Sequence, residues 1–196
     1  MIDTGYSGKL HKYILVGIPG CGKTTIGRLA AEKLGMPFFD SNEIAEGRIL
    51  EAAEGGKSWY RFAQLADKEQ KKAFIELAAL DPAAVIATGA EIALTPECLW
   101  HMRRMGTVVH VRRDAKTIQE GLESEACPNQ SMVKKNDGPW RDTRIAALEE
   151  YSKALPEYEM AADFAIENNG EVDECVDKLV ALISQGCPRV YDISEE

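Results

Sequence analysis

Between a short apolar run and a helical pattern near the N-terminus lies Gly17-Ile18-Pro19-Gly20-Cys21-Gly22-Lys23-Thr24, which fits G-x-x-x-x-G-K-[ST]. Residues 13–16 before it read as a buried strand, and residues 25–34 after it carry helical spacing up to Gly35. A strand, a glycine-rich turn and a helix in that order restrict the chain to folds that set a phosphate cradle at a sheet edge. Gly20 and Gly22 let backbone N–H groups approach phosphate oxygens, and the helix adds amides at its positive end. Lys23 brings a charge for the β- and γ-phosphates, and the Thr24 hydroxyl can ligate Mg²⁺. A turn that only caps a helix leaves the lysine and threonine unexplained. The pattern therefore predicts nucleotide binding by Gly20, Cys21, Gly22, Lys23, Thr24 and Thr25.

The rest of the chain supplies a sheet to carry that loop. Residues 13–16, 37–39, 83–87, 107–111 and 163–166 are short, apolar and strand-like, and they alternate with helical patterns at 23–34, 42–53, 59–80, 96–104, 115–122, 141–155 and 172–184. Such alternation predicts an α/β fold with a parallel sheet covered on both faces. Ligands of such sheets gather at the carboxyl ends of the strands, where the loop after the first strand carries the motif. No repeat or linker divides the 196 residues, so one domain is expected over 1–196, with a core at about 12–185. The least regular interior stretch, about 123–140, reads as a lid closing over the nucleotide, and 188–196 as an acidic, frayed tail.

Composition narrows the partners. A net charge of -9 argues against a protein that covers a nucleic-acid backbone. No run approaches the roughly 20 apolar residues of a membrane span, and the first residues lack the apolar stretch of a signal peptide, so a cytoplasmic protein without a membrane partner is expected. The five cysteines, Cys21, Cys98, Cys127, Cys175 and Cys187, form no C-x-x-C pair and read as free thiols. His11, His101 and His110 share no spacing suited to a metal or a triad, and His110 sits inside a strand pattern as a structural residue. Composition leaves the oligomeric state open.

Phosphoryl transfer needs a second handle on the metal. Asp40, at the end of the second strand, faces the same sheet edge as the cradle and could hold Mg²⁺ through water, or it could simply cap the next helix.

From Gly17 to Leu34 the chain matches G-x-x-G-x-G-K-T-T-x-G-x-x-L-A-x-x-L, and Phe38-Phe39-Asp40 continues it as F-x-D. Here the sequence resembles shikimate kinase and its relatives among the small P-loop kinases. The likeness runs more weakly over about residues 12–184, through Gly56-Lys57-Ser58-Trp59-Tyr60-Arg61, Val85-Ile86-Ala87-Thr88-Gly89, Pro156-Glu157-Tyr158 and Ala161-Ala162-Asp163 in family order. The resemblance implies a P-loop NTPase fold with a five-stranded parallel sheet flanked by helices, a closing lid, and an ATP- and Mg²⁺-dependent kinase acting on a small-molecule hydroxyl. It gives Lys23 and Asp40 catalytic roles, Thr24 and Asp40 the metal, and Asn42, Arg61, Gly89, Ala90 and Glu91 the acceptor.

Departures from the family pattern fall on the acceptor side. Asp40-Ser41-Asn42 stands where the family has D-x-D, and Asn42 cannot accept a proton from an alcohol. Gly89-Ala90-Glu91 replaces a triple glycine, setting a carboxylate where bare backbone is offered to shikimate. Glu91 either supplies the missing carboxylate, binds a substrate cation or hydroxyl, or belongs to an ordinary helical turn. Arg61 matches the family's substrate arginine, which implies an acidic or phosphorylated acceptor. The family's lid arginine is missing; Lys134 or Lys135 stands nearest, either to reach the transferring phosphate or to solubilise the loop. These substitutions favour a kinase with an altered acceptor site over shikimate kinase proper. A nucleotide-binding regulatory module without catalysis is the alternative from another class, and the intact Lys23, Thr24 and Asp40 argue against it.

Overall fold

The computed structural model describes residues 11–53, 59–79, 83–124, 132–134 and 140–186. Five strands, β1 (Lys12–Val16), β2 (Phe38–Asp40), β3 (Ala84–Ala87), β4 (Gly106–Arg112) and β7 (Phe164–Glu167), form one parallel sheet in the order β2-β3-β1-β4-β7. All the strands expected from sequence are present. The second, third and last start one residue later than expected, at Phe38, Ala84 and Phe164. Pro37 has no N–H to give to a ladder and enters only through its carbonyl, which accepts Val85 N at 3.0 Å.

Helices account for the burial gradient across the sheet. The helices α1 (Lys23–Leu34), α2 (Ser41–Ala53), α3 (Trp59–Ala79), α4 (Pro96–Met105), α5 (Ala115–Ser124) and α8 (Val172–Ser184) alternate with the strands. Strands β1 and β3 are buried along their whole length, as expected of strands covered on both faces, whereas the edge strand β7 buries only Ile166. Ile14, Leu15, Ile86, Val108 and Val109 are fully closed to water, and Ile26 of α1 with Val176 and Leu179 of α8 packs onto the same core. Even Lys12 is buried, its ammonium donating to Ala78 O at 3.3 Å.

Two regions differ from expectation. Within the stretch read as an irregular lid, β5 (Met132–Lys134) pairs antiparallel with β6 (Trp140–Asp142), with Lys134 opposite Trp140. The helix expected over 141–155 is shorter, α6 (Thr143–Ser152), and a second helix not expected from sequence, α7 (Leu155–Ala161), follows it. Pro156 is the physical reason, because proline cannot lie inside a helix and instead occupies the first turn of a new one. Residues 125–131 and 135–139 of the expected lid, the expected tail 188–196, and Cys127, Cys187 and Lys135 lie outside the described residues.

This strand order puts β1 between β3 and β4, with chain connections leaving on both sides. Their carboxyl ends open onto a shared crevice, the general ligand site of open α/β sheets.

Candidate active site

The glycine-rich loop leaves β1 at Gly17 and enters α1 at Lys23. Gly20 and Gly22 hold φ of 77° and 98°, a left-handed backbone that a side chain would strain. Among the described residues no side chain caps the start of α1. Its first amides thus remain available to an anion. Lys23 folds back on the loop, its buried ammonium donating to Gly17 O at 2.8 Å and Ile18 O at 3.0 Å, with Cys21 Sγ at 3.6 Å. These partners are carbonyls and a thiol rather than a counter-ion, so phosphate oxygens can replace them with a gain in charge complementarity. Thr25 lies exposed beyond the loop.

The two oxygens of Asp40 bear separately on the two roles that the sequence left as alternatives. Its Oδ1 accepts Asn42 N at 2.8 Å and Glu43 N at 3.4 Å, which caps α2. The other oxygen, Oδ2, accepts the Thr24 hydroxyl at 2.6 Å. Cap and metal handle are not exclusive, because a carboxylate has two oxygens. Hard oxygen donors from Thr24 and Asp40 thus meet beside the loop, a donor set that suits Mg²⁺. Among the described residues no cluster of three or more His, Cys, Asp and Glu side chains offers an all-protein metal cage, and Mg²⁺ characteristically keeps waters and phosphate oxygens instead.

On the β3 side of the crevice, Thr88 and Gly89 tie the edge together. The Thr88 hydroxyl donates to Leu15 O at 2.9 Å, and Gly89 N donates to Ser41 Oγ at 3.2 Å. A Cβ on Gly89 would sit 2.4 Å from Glu91 Oε1 and 2.7 Å from Asn42 Oδ1. Residues expected on the acceptor side from three separate sequence positions therefore converge. Both oxygens are closed to water, and Asn42 Oδ1 accepts no hydrogen bond among the described residues. Ala90 is buried, and its carbonyl accepts the hydroxyl of Tyr158 at 2.8 Å. Burial pushes the Tyr158 phenol well above its ordinary value, so it stays a neutral donor.

Arg61 lies on α3 and Lys134 on β5, but their side chains lie outside the described part of the structure. Sequence reasoning missed Asn168, just past β7, whose Nδ2 donates to Cys21 O at 2.8 Å. Nothing in the string Glu167-Asn168-Asn169-Gly170 distinguishes it from turn chemistry. It also missed the setting of His110, buried beneath the loop with Cδ2 3.3 Å from where a Gly17 Cβ would lie. His110 Nδ1 is 3.3 Å from Glu159 Oε1, and its ring lies 5.6 Å from that of Tyr158. Burial lowers its pKa, more strongly than Glu159 raises it. The histidine is a packing residue here, in line with its strand pattern.

A profile of the shikimate kinase family matches residues 19–184, which take in most of the loop and every strand beyond it. This chain belongs to the shikimate kinase family. Shikimate kinase of Neisseria meningitidis serogroup C is 30% identical over 92% of this chain and 98% of that protein. The Thermodesulfovibrio yellowstonii enzyme is 29% identical over 90% and 99%. In structure, shikimate kinase from Acinetobacter baumannii in complex with shikimate covers 91% of this chain and 96% of its own, with a TM-score of 0.65 and 23% identity. The fold is thus the P-loop kinase fold expected from sequence, and the protein is an ATP-dependent phosphotransferase acting on an alcohol. Among the described residues no helix is long and apolar enough to cross a membrane.

Proposed function

We propose that this family member transfers the γ-phosphoryl group of Mg²⁺-ATP to a hydroxyl of a small metabolite other than shikimate. One observation carries the acceptor half of that reading: Asn42 and Glu91 crowd the face of Gly89 where the family offers shikimate bare backbone. An anionic ring acid gains nothing from a carboxylate at that position, and like charges brought together cost several kcal/mol. The buried Asn42 Oδ1, which accepts no hydrogen bond among the described residues, calls for a donor. A hydroxylated acceptor supplies it, with Arg61 left to take an acidic or phosphorylated group elsewhere on the same molecule.

On the donor side, Gly20, Cys21, Gly22, Lys23, Thr24 and Thr25 would cradle the phosphates, and Lys134 would approach them from the lid. Lys23 would exchange the carbonyls of Gly17 and Ile18 for phosphate oxygens, stabilising charge that develops during transfer. Thr24 and Asp40 would hold Mg²⁺, which would neutralise charge on the phosphates during transfer. Asn42 would orient the acceptor hydroxyl without removing its proton. A loose transfer transition state makes little early demand for a base, and Glu91 is the carboxylate at hand when the proton leaves.

A second reading, shikimate kinase proper, is favoured by Arg61 and by the names of the full-length relatives. Measuring acceptor-dependent ADP release over a panel of polyols, sugar acids, amino alcohols and shikimate separates the two. Preferential turnover of a member other than shikimate is expected, whereas preferential turnover of shikimate would assign the ordinary activity. Nucleotide binding with no acceptor-dependent release for any compound would remove the kinase assignment.

A further inference from the structure

The loop is held from outside by a side chain that belongs to none of its flanking elements. Asn168 follows β7, six strands after the loop's own strand in chain order and two away across the sheet, and is buried. Its backbone N donates to Arg112 O at 2.7 Å, extending the β4–β7 pairing by one rung and fixing where its side chain starts. From there Nδ2 donates to Cys21 O at 2.8 Å, and it lies 2.5 Å from the point a Cβ on Gly22 would occupy. The Cys21–Gly22 peptide is therefore gripped on its carbonyl side.

Peptide planarity turns that grip into a functional statement. Across a trans peptide the C=O and the following N–H point in opposite directions. Asn168 occupies the buried side of the loop, while Gly20 is exposed and Gly22 half-buried, so the opposite side is the open one. Holding the Cys21 carbonyl inward aims the Gly22 N–H outward, into the concavity where an anion is bound by successive backbone amides. Without a donor at Asn168 the peptide loses the contact that distinguishes this orientation from its reverse. The reverse would present a carbonyl oxygen to a phosphate.

We propose that Asn168 is a positioning residue for nucleotide binding, which sets the Cys21–Gly22 peptide so that the Gly22 amide faces the phosphates. The inference rests on reading residues 17–24 as the phosphate cradle, and it adds a residue from the far edge of the sheet that the glycine-rich motif does not contain. It also accounts for glycine at position 22 on steric grounds beyond its φ, since any Cβ there would displace the Asn168 amide.

Asn168→Asp is close to isosteric and removes the donor. Titration of the full chain with Mg²⁺-ADP, followed by calorimetry, is expected to show about tenfold weaker binding for the variant, the loss equivalent to about one net hydrogen bond. Thermal unfolding is measured alongside, with titration kept well below the midpoint. A variant that loses thermal stability yet binds Mg²⁺-ADP like the wild type would make Asn168 merely structural and overturn the proposal. Should the variant fail to fold, the wild type decides. With isotope-labelled protein, a through-hydrogen-bond coupling between the Asn168 side-chain nitrogen and the Cys21 carbonyl carbon, together with a large Gly22 amide shift on adding ADP, is the expected result. A Gly22 amide that stays still while other loop amides shift would refute the assignment. A wild type that binds no ADP would instead remove the cradle reading itself, and this inference with it.

Discussion

The two sides of the crevice are made of different materials. On the proposed donor side, around 17–24, the groups offered to a ligand are backbone amides and one lysine, and that lysine already has hydrogen-bond partners in the loop. On the proposed acceptor side, around Asn42, Gly89 and Glu91, side chains from separate elements face one another, and the Asn42 carbonyl oxygen is buried without a donor among the described residues. The donor side is preorganised and specifies a chemistry shared by a whole superfamily. The acceptor side depends on a few side chains and can be rewritten without touching the sheet. That contrast is what would let one family keep its phosphate machinery under the proposed change of acceptor.

The strongest way to break the comparison is to remove the charged side chain of the cradle itself. Lys23→Ala is expected to lower acceptor-dependent kcat by about 10²–10³-fold, the scale of deleting one preorganised charge-stabilising donor. Steady-state ADP release measures it. A kcat unchanged by the substitution would take Lys23 out of the mechanism and erase the distinction between a catalytic donor side and a selective acceptor side.

The acceptor side responds in a different currency, selectivity. Glu91→Gly removes the carboxylate from the face of Gly89 and is expected to improve kcat/KM for shikimate by about tenfold, while the preferred acceptor loses activity. Parallel turnover assays with both acceptors check it. If shikimate turnover stays put and the preferred acceptor is also unaffected, Glu91 belongs to the turn after β3 and not to the pocket.

These two sites were legible in the sequence to different degrees, for physical reasons. The loop from Gly17 to Thr24 is contiguous, so its spacing alone states the chemistry, and the buried strands beside it are short apolar runs that period and length identify. Asn42, Gly89 and Glu91 were found only by holding the chain against a family pattern, since no spacing rule connects position 42 to position 91. Their convergence is a property of β2 and β3 lying side by side. Asn168 was invisible on both counts. An asparagine after a strand reads as turn chemistry, and only the β4–β7 pairing carries it under the loop. Pro156 was the opposite case, a legible signal read only as the end of the helix expected over 141–155, although a proline there also opens the next one.

Between the two sides stands Tyr158, whose hydroxyl fixes the Ala90 carbonyl. Tyr158→Phe keeps the ring and removes one buried hydrogen bond, at a cost of about 1–2 kcal/mol. For a chain of this size that corresponds to a fall of about 3–6 °C in Tm. Because Ala90 adjoins the proposed pocket, KM for the acceptor is expected to rise while KM for ATP does not. Equal changes in both would mean that Tyr158 supports the whole edge rather than its acceptor half.

The smallest effect tests how isolated the donor side is from the core beneath it. His110 lies directly under the loop with its pKa held below the ordinary 6.5, first by burial and also by the charges of Arg112 and Lys23, against the opposing pull of Glu159. The folded state therefore binds this proton less readily than the unfolded chain does. Between the folded and unfolded values the unfolded chain carries more proton, so stability rises with pH there. The contribution is present above about 6.5 and is lost as pH falls through the depressed folded value. His110→Gln keeps a polar side chain without a titrating ring. Urea midpoints measured at about pH 7.5 and about pH 5.5 should fall further in the wild type than in the variant. Identical falls would mean that the buried ring gains its proton without opening the core. The positive charge would then sit beneath the lysine proposed to bind phosphate, and the donor side would be coupled to pH through its foundation instead of being insulated from it.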